Sequence, residues 1–259
     1  MKKEYKFTII ITNYNKEKWI GKCLDSILKQ TYKKYEIIFI DDLSKDNSLE
    51  IAKKKLNNST NAKIIELRQK RYNGGAMNVG ILEATGDYII VVNSEDWLKS
   101  NNSLEILNNK LNGEDIAFIG YDKYNGNREY LTFTPKYQNL YSAFTTERSN
   151  VWSKVVRTPI MKRALFPEGM ICDGKINHYK VIDKCRKYIN IEESIYCWNK
   201  YDNENSQNVM RLEKEASQFG ELGQMYKFIK QCKNDNYRQF VIMKYNRLKE
   251  EMKKGVVKL

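Results

Sequence analysis

A chain of 259 residues with 41% apolar and 12% aromatic side chains suits one large α/β domain with a small helical appendage; three prolines and thirteen glycines exclude a low-complexity or collagen-like chain. The formal net charge of +13 admits nucleic-acid binding, an anionic membrane surface or phosphorylated substrates, and equally a plain lysine-rich surface, because the lysines are spread along the chain. Five scattered cysteines, Cys23, Cys172, Cys185, Cys197 and Cys232, form no CxxC pair and no zinc spacing, and read as reduced thiols of a cytoplasmic protein.

The first element is an apolar strand, Lys6 to Thr12, too short for a signal-peptide core; no later stretch approaches the roughly 18 apolar residues of a membrane span, so a soluble or peripheral protein is expected. Trp19, Ile20, Cys23, Leu24, Ile27 and Leu28 recur at helical spacing, and Tyr35 to Ile40 is a second buried strand. A helix opens near Asp46-Asn47-Ser48; Ala62 to Leu67 and Asp87 to Val92 are further strands, and Gly86 fits a cap ending the helix before it. Ile116 to Tyr121 is another strand, and a hairpin surrounds Asn125-Gly126-Asn127. Asp173 to Cys185, Val209 to Cys232 and Tyr237 to Lys254 read as helices, after a polar stretch from Asn199 to Asn208. The alternation predicts an α/β fold, a doubly wound, mostly parallel sheet flanked by helices and followed by a C-terminal helical extension. The expected boundary leaves residues 1–208 as the main domain, with halves at about 1–100 and 101–208, and 209–259 as the extension.

Ligands of such sheets bind at the carboxyl ends of the strands, which directs attention to the residues just after each strand. Asp41-Asp42 can accept from a base or a ribose, or can simply start a turn. Asn93-Ser94-Glu95-Asp96 offers hard oxygens suited to magnesium or manganese, or a capped helix start. Asn73-Gly74-Gly75 before a helix resembles a phosphate-approach loop, with Arg68, Lys70 and Arg71 adding positive charge. Trp152-Ser153-Lys154 reads as packing more readily than as an acceptor wall, and His178, five positions from Asp173, as structural or exposed.

The ordered set of Thr-Asn-Tyr-Asn after the first strand, Cys-Leu-Asp-Ser-Ile-Leu-Lys-Gln-Thr-Tyr, Tyr-Glu-Ile-Ile-Phe-Ile-Asp-Asp, Asp-Asn-Ser and Ala-Thr-Gly-Asp-Tyr-Ile resembles the family 2 glycosyltransferases of GT-A fold, from about Phe7 to about Asn208. The resemblance implies inverting transfer from a nucleoside-diphosphate sugar, a UDP-sugar first, to a glycan or lipid-linked acceptor of a cell-surface polysaccharide. It implies that Thr12, Tyr14 and Asp42 surround the base with Asp41 nearby, and that Glu95 holds a divalent metal at the family's DxD position beside Asn93 and Ser94. It also implies that Asp173, after Phe166-Pro167-Glu168-Gly169, is the base. Departures from the pattern are Asn93 for an aspartate, Leu43 for a glycine, Met77 and Asn199 for arginines, and Cys172 for a glutamate. Two rival readings are transfer to a modified nucleic-acid base and a catalytically degenerate nucleotide-sugar-binding module. For the aromatic, lysine-rich C-terminal helices, core cover, a homodimer interface and contact with the inner face of the membrane compete.

Overall fold

The computed structural model describes residues 3–125, 128–146, 150–168, 174–200 and 220–253. Its strands are β1 (Phe7–Asn13), β2 (Tyr35–Asp41), β3 (Ala62–Glu66), β4 (Tyr88–Asn93), β5 (Trp97–Leu98), β6 (Ile116–Asn125), β7 (Arg128–Phe133), β8 (Lys154–Arg157) and β9 (Tyr188–Asn199). The helices are α1 (Glu17–Leu28), α2 (Ser48–Leu56), α3 (Tyr72–Glu83), α4 (Ser103–Lys110), α5 (Leu140–Thr145), α6 (Thr158–Lys162), α7 (Gly174–Lys184), α8 (220–231) and α9 (Asp235–Lys253). A single 3-10 turn, Val151–Ser153, leads into β8.

The strands form one sheet in the order β3-β2-β1-β4-β8-β6-β9-β5, with β7 on β6. The first four strands run parallel, whereas the second half is mixed: β8 is antiparallel to both β4 and β6, and β6 is parallel to β9. Both faces are covered, which is why β1, β2 and β4 are unbroken apolar runs. Ile10, Ile38, Ile40, Ile89 and Val91 face α3, α6 and α7, and Ile9, Ile11, Ile37, Phe39, Ile90 and Val92 face α1, α2 and α4. Met225, Phe228, Cys232, Tyr237 and Val241 of α8 and α9 join the first of these cores, while Tyr226 and Met243 of the same helices are exposed. Cys23, Cys185, Cys197 and Cys232 are buried free thiols.

One connection departs from the sequence expectation. Gly86 caps no helix: α3 ends at Glu83, and a Cβ on Gly86 would stand 2.7 Å from both the Lys6 carbonyl oxygen and the Thr8 nitrogen, so the residue lets the chain cross β1 closely. The boundary expected near residue 208 falls outside the described residues. β9, which the sequence reading did not name, carries a register shift against β6, from Ile119↔Ile191 to Gly120↔Ser194 and Tyr121↔Tyr196. Gly120 permits that bulge, since a Cβ there would lie 2.6 Å from the Glu193 carbonyl oxygen.

Candidate functional site

The strand order places β1 between β2 and β4, with Asn13 beside Asp41 and Thr12 beside Asn93, so the ends of three strands open on one place. Asp41 is buried at 3% exposure and accepts from Asn13 Nδ2 (2.9 Å), Ser44 N (2.9 Å) and Ser44 Oγ (2.6 Å). Its carboxylate therefore closes the turn after β2. Asp42, also buried, accepts from Arg71 N at 2.8 Å through Oδ1, and Lys70 Nζ lies 3.3 Å from Oδ2. The same ammonium stands 2.8 Å from the centre of the Tyr14 ring, which is 44% exposed. Thr12 Oγ1 donates to Asn73 Oδ1 at 2.7 Å. Thr12, Tyr14, Asp42 and Asn73 thus meet.

Backbone strain surrounds this place. Asn15, Leu43 and Tyr72 adopt φ of 53°, 64° and 57°, the left-handed region that side-chain-bearing residues rarely enter. Asn73, Gly74 and Gly75 are not a loop before a helix: they lie inside the first turn of α3, which Tyr72 opens. Met77 of the same helix is buried in the core.

The second cluster is a turn. Asp96 N donates to the Asn93 carbonyl oxygen at 2.9 Å, and the Asp96 carboxylate, fully buried, accepts from Asn93 Nδ2 (2.9 Å), Tyr196 Oη (2.6 Å) and Asn199 N (2.7 Å). Burial, and then Glu95, push the Asp96 carboxyl well above the usual carboxylate range, against the pull of these donors. Tyr196 in turn accepts from Asn93 N at 3.1 Å and stacks on Trp152, ring centres 4.8 Å apart. Trp152 is buried and also meets Tyr121 edge-on, so packing is its role. Ser94 is buried, while Glu95 keeps a quarter of its side chain exposed, with Lys16 Nζ 3.9 Å away. Asn199 Nδ2 donates to the Glu95 carbonyl oxygen at 3.3 Å.

Among the described residues no three His, Cys, Asp or Glu side chains gather as a metal cage. Glu95 is the partly exposed carboxylate of this turn, and an ion of the magnesium type, which needs few protein oxygens, could be held there.

On the other side of α3, Asn78 Nδ2 donates to the Phe166 carbonyl oxygen at 3.0 Å and Asn78 Oδ1 accepts from Phe166 N at 2.8 Å. This reciprocal pair fixes Phe166-Pro167-Glu168 against the helix, and Arg71 Nη1 lies 3.7 Å from Glu168 Oε1. Asp173 and Cys172 lie outside the described residues; α7 begins at Gly174. His178 is buried and structural, its Nε2 facing the carbonyl oxygens of Ala143 (3.0 Å) and Phe144 (3.3 Å), which fixes the proton on Nε2. Burial and then Lys154 hold its pKa well below the ordinary value.

Lys154 is buried, donates to the Asn150 carbonyl oxygen, and is pushed down to about 7 by burial. The ordinary value is near 10.5, so between pH 7 and 10.5 the unfolded chain holds a proton that the folded one does not, and stability rises with pH over that window by up to about 1.4 kcal/mol per unit. Lys154→Met is expected to remove this slope and to be more stable than the wild type at pH 6.5, with the difference shrinking by pH 9.5. Urea unfolding at the two pH values checks it, and parallel pH profiles would refute it.

Sequence reasoning missed Asn78 and Tyr196, and passed over Asp96 as a neighbour of Glu95. An Asp immediately before the Trp97 strand residue was the available signal; Asn78 and Tyr196 gave none, since each acts through a partner about ninety or a hundred positions away.

With the fold and this site in view, the class is defined: an α/β domain with an acidic turn at the sheet's switch point. The glycosyl transferase family 2 model matches residues 8–180, and the chain belongs to that family. It is 28% identical over 215 residues to glycosyltransferase GlyA of Streptococcus pneumoniae, covering 74% of this chain and 30% of that protein. It is 34% identical over 175 residues to the poly(ribitol-phosphate) beta-glucosyltransferase of Bacillus spizizenii, covering 66% of this chain and 26% of that one. The chain therefore spans less than a third of the length of either relative. It superposes on S. aureus TarS 1-349 in complex with UDP with a TM-score of 0.67 at 22% identity, covering 98% of this chain and 75% of that one. A mannosyltransferase from Pyrobaculum calidifontis, solved with GDP-Man and Mn2+, superposes with a TM-score of 0.65 at 14% identity, over 94% and 70% of the two chains. These two likenesses carry the GT-A fold. No helix among the described residues is long and apolar enough to cross a membrane.

Proposed function

We propose that the protein is an inverting glycosyltransferase that moves a sugar from a UDP-sugar to a hydroxyl of a glycan or lipid-linked acceptor of a cell-surface polysaccharide. The observation that carries the reading is the meeting of Thr12, Tyr14, Asp42 and Asn73 at the ends of β1 and β2, in register with the Asn93–Asp96 turn at the end of β4.

In this reading Tyr14 and Asp42 receive the base, with Lys70 leaving its place over the Tyr14 ring, and Asp41 acts by holding the turn that carries Asp42. Gly74 and Gly75, in the first turn of α3, bring backbone amides towards the diphosphate, where the helix N-terminus favours negative charge. Glu95, held out by the turn that Ser94 and Asp96 anchor, would hold a manganese or magnesium ion with the diphosphate. Such an ion neutralises the charge that builds on the leaving group. Asp173 takes the proton of the acceptor hydroxyl as its oxygen bonds to the anomeric carbon, and the bond from that carbon to the diphosphate breaks, its electron pair leaving with the phosphate.

Thermal stabilisation by UDP, GDP and their sugars, with and without manganese, tests the donor site. At a hundredfold excess over Kd, UDP with manganese should add about 2.7 kcal/mol, or on the order of 5–10 °C in Tm. Glu95→Ala should lose the manganese-dependent part, and Asp42→Ala nearly all of it. An unshifted wild type with every nucleotide would sink the proposal.

A further inference from the structure

One exposed face at the carboxyl edge has no part in the donor chemistry. Register pairing aligns Leu131 of β7, Lys123 of β6 and Trp198 of β9 in one row across three strands, so the three side chains share a face of the sheet. Leu131 is 47% exposed and Trp198 half-buried, its inner side leaning on Trp152 with ring centres 5.6 Å apart. Two ammonium groups flank the indole: Lys123 Nζ at 5.1 Å and Lys200 Nζ at 5.6 Å from the ring. The next residue along β9, Asn199, is bonded to Asp96 and to the Glu95 carbonyl oxygen, so the platform adjoins the turn that bears Glu95.

An indole held rigid from behind, with an apolar neighbour and a cation on either side, matches a ligand with two kinds of surface. The C–H face of a sugar or polyol stacks on the ring, and an anionic group alongside pairs with the ammonium groups. A neutral glycan supplies only the stacking half of this match. We propose that this face is the acceptor subsite and that it selects an anionic glycan, one bearing phosphate or carboxylate groups. The proposal rests on the glycosyl-transfer reading above.

Calorimetric titration with poly(glycerol phosphate), polygalacturonate and neutral dextran tests it without requiring turnover. The wild type is expected to bind at least one of the anionic polymers and not dextran, and which polymer binds separates phosphate from carboxylate. Lys123→Gln/Lys200→Gln should weaken that binding at least about tenfold with UDP–manganese affinity and Tm unchanged, and Trp198→Ala should weaken the polymer binding likewise. The lysine pair keeps the test decisive if Trp198→Ala does not fold. Unchanged polymer binding in the lysine variant, or equal binding of dextran, overturns the subsite while leaving the donor site standing. A wild type that binds no nucleotide overturns the donor reading, and with it the assignment of this face to an acceptor.

Discussion

Asp173→Asn is expected to slow sugar transfer by about 10³-fold while leaving UDP affinity unchanged. General base catalysis contributes about 10²–10⁴ in rate, and an amide of the same shape cannot take the acceptor's proton. The proposed donor residues lie elsewhere, at the ends of β1, β2 and β4, so binding and chemistry should separate. The measurement is kcat at saturating donor and acceptor, paired with a UDP titration. A kcat within about threefold of wild type would remove Asp173 from the role. Attention would then pass to Glu168, which the Asn78–Phe166 clamp holds near Arg71.

The largest loss of stability is expected from Asp96→Ala. The substitution leaves Tyr196 Oη, Asn199 N and Asn93 Nδ2 facing a buried gap with no acceptor. Each buried donor without a partner costs about 1–3 kcal/mol, so a total of about 4 kcal/mol, or on the order of 10 °C in Tm, is the expected result. Manganese-dependent nucleotide binding should weaken too, because the turn that presents Glu95 loses its anchor. Asp96→Asn should be milder: burial already favours the neutral acid, and the amide keeps an acceptor oxygen. Denaturant melts of the two variants check the order. An Asp96→Ala protein as stable as the wild type would show that the three donors find other partners.

The first half of the fold was legible because local pattern and tertiary position agree there. β1, β2 and β4 are apolar on both faces, and α1 buries Trp19, Ile20, Cys23, Leu24 and Ile27, the residues its period selects. Legibility ends where pairing is remote. β5 and β8 are too short to show a period, and β8 is a strand only because β4 and β6 flank it. The double glycine misled for a related reason. Glycine commonly marks a loop, but here the left-handed residue that opens α3 is Tyr72, and the glycines come after it within the helix. For the candidate site, Asp42 and Glu95 could be named in advance because they sit just past strands, and Thr12, near the end of β1, because the family resemblance marks it. The distinction between an Asp that meets a basic segment and one that holds a turn could not, since Asp41 and Asp42, both buried, differ only in what the fold brings to them: Asn13 and Ser44 for one, Lys70 and Arg71 for the other.

The bulge where β9 passes Gly120 sets the parity of everything after it. Beyond the shift, Tyr196 and Trp198 point to the face that carries Trp152, while Cys197 and Asn199 point to the other. One residue gained or lost between Ile191 and Ile195 would exchange the two sets. Tyr196 would leave Asp96, Trp198 would leave Lys123, and both halves of the carboxyl edge would fail together. In evolutionary terms the length of this short segment is then quantised: descendants of this chain can alter its composition freely but change its length only in pairs of residues, a constraint that no single substitution would reveal.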